Sequence, residues 1–222
     1  MDITFYILIP AMILAFFAQA RVSSAYRKYS SVSNNKGITG AEAARTILNG
    51  NGLSDVPIEI TAGKLSDHYD PKNRVMRLSN EVFNGNSIAS VSIAAHEAGH
   101  AIQHAQGYGP IKVRNAIAPV VSIASNLAWP LFIAGLILGY AGLLDLGIIL
   151  FCSAVFFQVV TLPVEFNASA TAIKQLEGFS IIMAEETDGA KRMLSAAAMT
   201  YVAALAMSLA NLMRLVLLRN RN

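Results

Sequence analysis

The chain has 222 residues, 54% of them hydrophobic and 14% charged, against about 25% charged in a typical soluble domain, which argues against a purely soluble protein. Seventeen Lys and Arg against fourteen Asp and Glu leave a formal charge of +3, too small a surplus for the broad basic face of a nucleic-acid binder. The one cysteine, Cys152, sits in an apolar run, so no intrachain disulfide can form and nothing points to an oxidising compartment.

Residues 1–20 read as a first transmembrane helix. The run 3–20 is apolar apart from Thr4, Pro10 and Gln19, and at ~1.5 Å rise per residue it nearly crosses a ~30 Å hydrocarbon core. Ala18-Gln19-Ala20 resembles a signal-peptide cleavage site. However, Asp2 precedes the run while Arg21, Arg27 and Lys28 follow it, the charge order of an anchor.

Residues 21–115 have the mixed composition of a soluble domain. Thr39 with Glu42 three residues on predicts a capped amphipathic helix that stops at Asn49-Gly50-Asn51-Gly52. Residues 56–61 and 74–79 alternate like strands and flank the turn signal Asp70-Pro71-Lys72-Asn73, which predicts a small sheet or hairpin. Residues 87–108 read as one helix, capped near Asn86 or Ser87 and stopped by Gly107, Gly109 and Pro110.

The apolar runs 116–140 and 146–163 make a transmembrane helical hairpin over 116–163, and Gly135 with Gly139 forms a small-xxx-small pair suited to close helix approach. Pro163 is expected to end or bend the second arm. A segment at 164–193 follows, and then a fourth apolar run at 194–218, the least certain span because it contains Asn211 and Arg214. The fold class is therefore a mainly α membrane protein, with about four transmembrane helices and a small α+β cytoplasmic insertion. No repeats, low-complexity tracts or heptads interrupt this pattern.

The chemistry concentrates in His96-Glu97-Ala98-Gly99-His100. On a helix, a four-residue separation turns two side chains by only ~40°, so both imidazoles share a face and can share a metal ion. Glu97, one position round from His96, can reach a water on that metal without being a ligand, the placement of a general base. Zinc suits imidazole and carboxylate ligands and brings the pKa of its water to ~7. The pattern thus predicts a zinc metalloprotease, an HExxH enzyme. Gly99 inside a helix costs ~1 kcal/mol relative to Ala, and close approach of another element would account for it.

A catalytic zinc takes three protein ligands and keeps one position open. Glu165, a lone acid just past the third apolar run and ahead of an Ala-rich helical stretch reaching Leu176, is the leading third ligand. His104 is the rival, but three ligands on consecutive turns of one straight helix converge poorly on a tetrahedral ion, which makes it better suited to supporting a ligand.

His96-Glu-Ala-Gly-His100-Ala-Ile-Gln-His104, with Leu162-Pro-Val-Glu165-Phe-Asn-Ala-Ser169 downstream and Asp67-His68-Tyr69-Asp70-Pro71 upstream, resembles the bacterial YugP-type membrane zinc metallopeptidases over nearly the whole chain. The resemblance implies a neutral zinc peptidase embedded in the cell membrane, more distantly similar to the HtpX peptidases, with His96, His100 and a downstream Glu as ligands. Asn167 stands two positions after Glu165, where such relatives often carry Asp. It is a candidate supporting residue, as is His104.

In Asp67-His68-Tyr69-Asp70-Pro71, Tyr69 or His68 could stabilise an oxyanion or bind substrate, and the strand near Val75 could offer an edge that holds a peptide. An Asp-Pro turn closing a hairpin is the simpler expectation. Gly63-Lys64 lacks both the first Gly and the Ser/Thr of a phosphate loop.

The expected function is zinc-dependent endopeptidase action on membrane or membrane-proximal proteins. A membrane scaffold with a structural metal clip is the alternative, which intact Glu97 disfavours. A transporter would need more ionisable residues within its spans. Expected partners are a protein or peptide substrate and the lipid bilayer, with a homo-oligomer or regulatory membrane protein as further candidates. Eleven of the seventeen Lys and Arg lie between Arg21 and Arg114, so the positive-inside rule puts that segment, 164–193 and the active site on the cytoplasmic face.

Overall fold

The structure is a computed structural model and describes residues 3–221. Asp2, which bears on the expected outward N-terminus, lies outside the described residues. After a short 3-10 turn at Ile3–Ile7 come α1 (Leu8–Ser30), α2 (Gly40–Gly50), β1 (Ile58–Thr61), β2 (His68–Asp70) and β3 (Val75–Ser79). Then follow α3 (Asn80–Asn84), α4 (Ile88–Ala105), α5 (Gly109–Leu138), α6 (Ala141–Gly178), a 3-10 turn at Ala184–Glu186, and α7 (Thr187–Arg219). The fold is thus mainly helical with one small sheet. Among the described residues, four helical segments are long and apolar enough to cross a membrane: Thr4–Ser30, Gly109–Leu138, Ala141–Gly178 and Ala184–Arg219.

The chain divides into two compact units. Among the described residues, one comprises 3–19, 109–163 and 199–221. Its inner contacts are Ala128, Phe132, Leu144, Phe151 and Leu215, with a smaller cluster of Leu8, Ala11 and Ala210. Phe16, Val120, Ile137 and Ile149 point outward. Gly135 does let α5 approach α6, since a Cβ there would lie 2.8 Å from the Leu144 nitrogen. Its counterpart is Gly147 of α6, where a Cβ would meet the Ala128 carbonyl oxygen at 2.9 Å. The expected pairing with Gly139 is corrected: Gly139 follows the last residue of α5 at φ +62° with nothing around it, a left-handed helix stop.

The other unit comprises residues 20–108 and 164–198. Thr39 and Glu42 form the expected capping box at the start of α2, and the buried face of α2, Ala43, Ala44, Ile47 and Leu48, joins the core of α4. The sheet has the order β1-β3-β2, with β1 parallel to β3 and β2 antiparallel to it. Asp70 shapes the β2–β3 turn: its carboxylate accepts from the Lys72 and Asn73 main-chain N–H groups, the Asn73 amide and Arg77. Those hydrogen bonds, led by Asn73, hold the Asp70 carboxyl well below the usual carboxylate range.

Two sequence expectations change here. The Asp67–Pro71 segment is not only a turn, because His68–Asp70 forms strand β2. And β3 presents no free edge, since β1 and β2 pair along its two sides. The substrate-edge expectation attached to Val75 is therefore corrected: the outer edges belong to β1 and β2, and the one beside Glu97 is that of β2.

Pro163 does not end its helix; α6 runs unbroken to Gly178. A proline removes one i→i−4 bond and strains the preceding turn, at ~3 kcal/mol in an ordinary helix. Beyond it, Val164, Ala168, Ala172 and Leu176 recur every four residues and are fully buried. The burial of that stripe offsets the loss.

Candidate metal centre

Both ends of α4 are set by local chemistry. Ser87 caps its start, the side chain accepting from the Ser90 N–H. Gly107, at φ +67°, closes it: the Tyr108 N–H bonds the Gln103 carbonyl and the Gly107 N–H bonds the His104 carbonyl, the paired bonds of a Schellman stop. Within this rigid rod, His96 and His100 fall on one face with ring centroids 4.8 Å apart.

Gly99 fits the close approach expected of it. A Cβ there would stand 2.8 Å from the Ala168 carbonyl oxygen and 3.3 Å from its Cα, so any side chain would push the α6 backbone away from α4. The contact brings Glu165 to the histidines. Its Oε2 lies 3.3 Å from His96 Nε2 and 3.6 Å from His100 Nε2, and the carboxylate is buried. One ligand atom from each of His96, His100 and Glu165 lies within 4.8 Å of the others.

The donor set and its spacing fit zinc. Ligand bonds of ~2.0–2.1 Å at tetrahedral angles separate ligand atoms by about 3.3 Å, close to what the two Nε2–Oε2 distances show. Both Nδ1 atoms are turned to the protein: His96 Nδ1 is 3.3 Å from Ser169 Oγ and His100 Nδ1 is 3.0 Å from Gln103 Oε1. The Nε2 atoms are therefore the ones left for a metal.

Glu97 lies beside the cluster without belonging to it. Its Oε2 accepts from the Tyr69 main-chain N–H at 3.0 Å, so β2 holds this carboxylate directly. Burial pushes the Glu97 carboxyl up to about 7, the neighbouring Glu165 and Asp67 charges adding to the rise and His96 opposing it.

Residues 4–220 match the family described as "Putative neutral zinc metallopeptidase". The chain is also 51% identical, over 213 residues, to "Putative membrane protease YugP" of Bacillus subtilis (strain 168), an alignment that covers 96% of this chain and 95% of that protein. The chain belongs to this zinc metallopeptidase family. No solved structure matches it.

The other sequence candidates of this family member are placed as follows. His104 is not in the three-residue cluster; its Nδ1 pairs with the Tyr69 hydroxyl at 2.9 Å. Tyr69 therefore touches the site twice, through its main-chain N–H to Glu97 and through its hydroxyl to His104. His68, on the opposite face of β2, is exposed, and its Nδ1 meets the Ser66 carbonyl at 2.7 Å. The strand's alternation sends it away from the cluster that Tyr69 approaches. Asn167 touches neither imidazole in the described contacts; its Oδ1 accepts from Gln103.

Two residues near the ligands escaped the sequence reading. Ser169 is four residues after Glu165, so the helix repeat that brings Glu165 to the histidines brings Ser169 as well. Gln103 is a buried amide three residues after His100 on a largely apolar helix. Both spacings were available as signals.

Proposed function

We propose that this protein is a zinc-dependent endopeptidase of the cell membrane, acting on membrane or membrane-proximal proteins at the cytoplasmic face. The observation that carries the reading is the convergence of His96 Nε2, His100 Nε2 and Glu165 Oε2, with Glu97 held next to them but outside the set. In this reading His96, His100 and Glu165 hold the ion. Bound zinc would supply Lewis acidity to the scissile carbonyl and to water. Glu97 takes the proton of the attacking water as the C–O bond forms and delivers it to the amine nitrogen as the C–N bond breaks. The Tyr69 N–H keeps the Glu97 carboxylate aimed through both transfers. A purely structural clip has no use for a base beside the ion.

Membrane insertion is supported by the four long apolar helices and by the large hydrophobic side chains facing outward on them, among them Phe16, Ile137 and Leu138. Two candidate spans lie between His100 and Glu165 in sequence, an even number, so both return to one side whichever way the chain inserts. The cluster of basic residues between Arg21 and Arg114 supports a cytoplasmic assignment of that side. Glu165 follows the third apolar run by two residues, which supports a scissile bond close to the interface and membrane-proximal substrates.

The test is purified protein in detergent, with zinc measured by mass spectrometry and cleavage of a membrane-protein substrate followed by gel. Wild type should hold one zinc per chain and cut; a metal-free, inactive wild type would remove the reading. For the topology, Cys152→Ala carrying Asp145→Cys should be labelled by an impermeant reagent in intact cells, whereas Cys152→Ala carrying Lys72→Cys should be spared. The reverse pattern inverts the orientation.

A further inference from the structure

Gln103 sits on α4 one turn beyond His100, 2% exposed, with its amide engaged at both ends. Nε2 donates to the Val164 main-chain carbonyl and to Asn167 Oδ1, each at 2.8 Å. Oε1 stands 3.0 Å from His100 Nδ1. A carboxamide has a donor end and an acceptor end of nearly the same shape, and its neighbours decide which way it faces. Here the decisive neighbour is Val164, because a main-chain carbonyl can only accept. Turning the amide over would set the Gln103 oxygen against the Val164 oxygen in a buried place, with no proton between them.

The orientation of the amide then decides the state of His100. With its NH2 on α6, Gln103 presents an oxygen to His100, and that oxygen requires a proton on Nδ1. A neutral imidazole carries one N–H. The lone pair is therefore on Nε2, the atom that faces Glu165 at 3.6 Å. His96 has no comparable constraint, since its Nδ1 meets the Ser169 hydroxyl, which can donate or accept.

We propose that Gln103 is the positioning residue of the metal centre: it reads the Val164 carbonyl on α6 and thereby locks His100 in the Nδ1–H tautomer, with Nε2 ready for the ion. This rests on the zinc-peptidase reading above. Val164 immediately precedes Glu165, so the helical turn that delivers the third ligand also prepares the second. The approach of α6 that brings Glu165 to the histidines thus also sets the His100 tautomer.

The test begins with wild type. The chain has four histidines, so zinc-free protein labelled with 15N-histidine gives a spectrum simple enough to assign by single His→Asn variants. His100 should show the Nδ1–H pattern; an Nε2–H pattern in wild type overturns the inference, whether or not any variant folds. Gln103→Met keeps the bulk and removes the amide. It should mix the His100 tautomers and weaken zinc in chelator competition by ~10–100-fold, the usual effect of losing a group that orients a ligand. Asn167→Ala leaves Val164 to orient the amide and should keep the wild-type tautomer. Unchanged zinc affinity in folded Gln103→Met overturns the inference while the zinc reading stands. A wild type that binds no zinc overturns both, and the Gln103 variants cannot mimic that result.

Discussion

The two units of the chain solve opposite problems with their polar groups. In residues 3–19, 109–163 and 199–221, large apolar side chains such as Phe16 and Ile137 point outward, and the helices meet through glycines, at Gly135 and Gly147. In residues 20–108 and 164–198, a buried apolar core encloses Glu97, His100, Gln103 and Glu165. There the helices also meet through a glycine, Gly99, but the close approach serves to bring hydrogen-bonding and metal-ligating groups together. The same packing device supports helix contact in one unit and chemistry in the other.

The largest effects should come from the polar cluster. Glu97→Gln keeps the shape and the hydrogen bond from Tyr69 but removes the base. It should lower cleavage by ~10²–10⁴-fold with zinc retained, the usual contribution of general base catalysis. Full activity in that variant would end the peptidase reading. Glu165→Ala should empty the site in a metal assay, whereas His104→Ala should leave zinc bound, because His104 contacts Tyr69 instead of the ligand cluster. Zinc lost from His104→Ala and kept in Glu165→Ala would overturn the ligand assignment.

The glycines sharpen the comparison directly. Gly99→Val and Gly135→Val each force a side chain against a backbone atom 2.8 Å from the new Cβ, and both should destabilise by ~1–3 kcal/mol as overpacking does. Zinc titration should separate them: Gly99→Val weakens the metal and Gly135→Val does not. Equal zinc affinity in the two would mean that the α4–α6 contact is not what holds the ligands together.

The smallest effect belongs to the β2–β3 turn. Asp70→Ala removes an acceptor of several hydrogen bonds and should cost about 1 kcal/mol, seen as a lower Tm at neutral pH. The folded-state pKa of Asp70 is depressed, so its contribution is present above the unfolded value of ~3.9 and is lost as pH falls through the folded value. Wild type and variant should therefore converge in stability on acidification below about pH 4, and a gap that widens there would contradict the turn's role.

Much of this was legible in the sequence because it is local. The cap at Thr39, the cap at Ser87 and the stop at Gly107 are read from single residues whose side chain or φ satisfies nearby backbone groups. The four-residue spacing of His96 and His100 puts them on one face of any helix. Glu165 could be singled out because acids are scarce near the apolar runs. Spacing alone brings Gln103 near His100, but the partners that decide the roles of Gln103 and Ser169 lie on a different helix, 61 to 73 positions away in sequence.

What the sequence alone determined, then, is the capped helices at Thr39 and Ser87, the four long apolar runs, and the presence of a base and two imidazoles in register. Periodicity and capping are properties of a few consecutive residues and need no knowledge of neighbours. The tertiary structure alone decided that α6 continues past Pro163, that β2 and not β3 is the edge beside Glu97, and that the Val164 carbonyl orients Gln103. Each of these depends on which backbone approaches which, and the approach of α6 to α4 is permitted by Gly99 because it has no Cβ to meet Ala168.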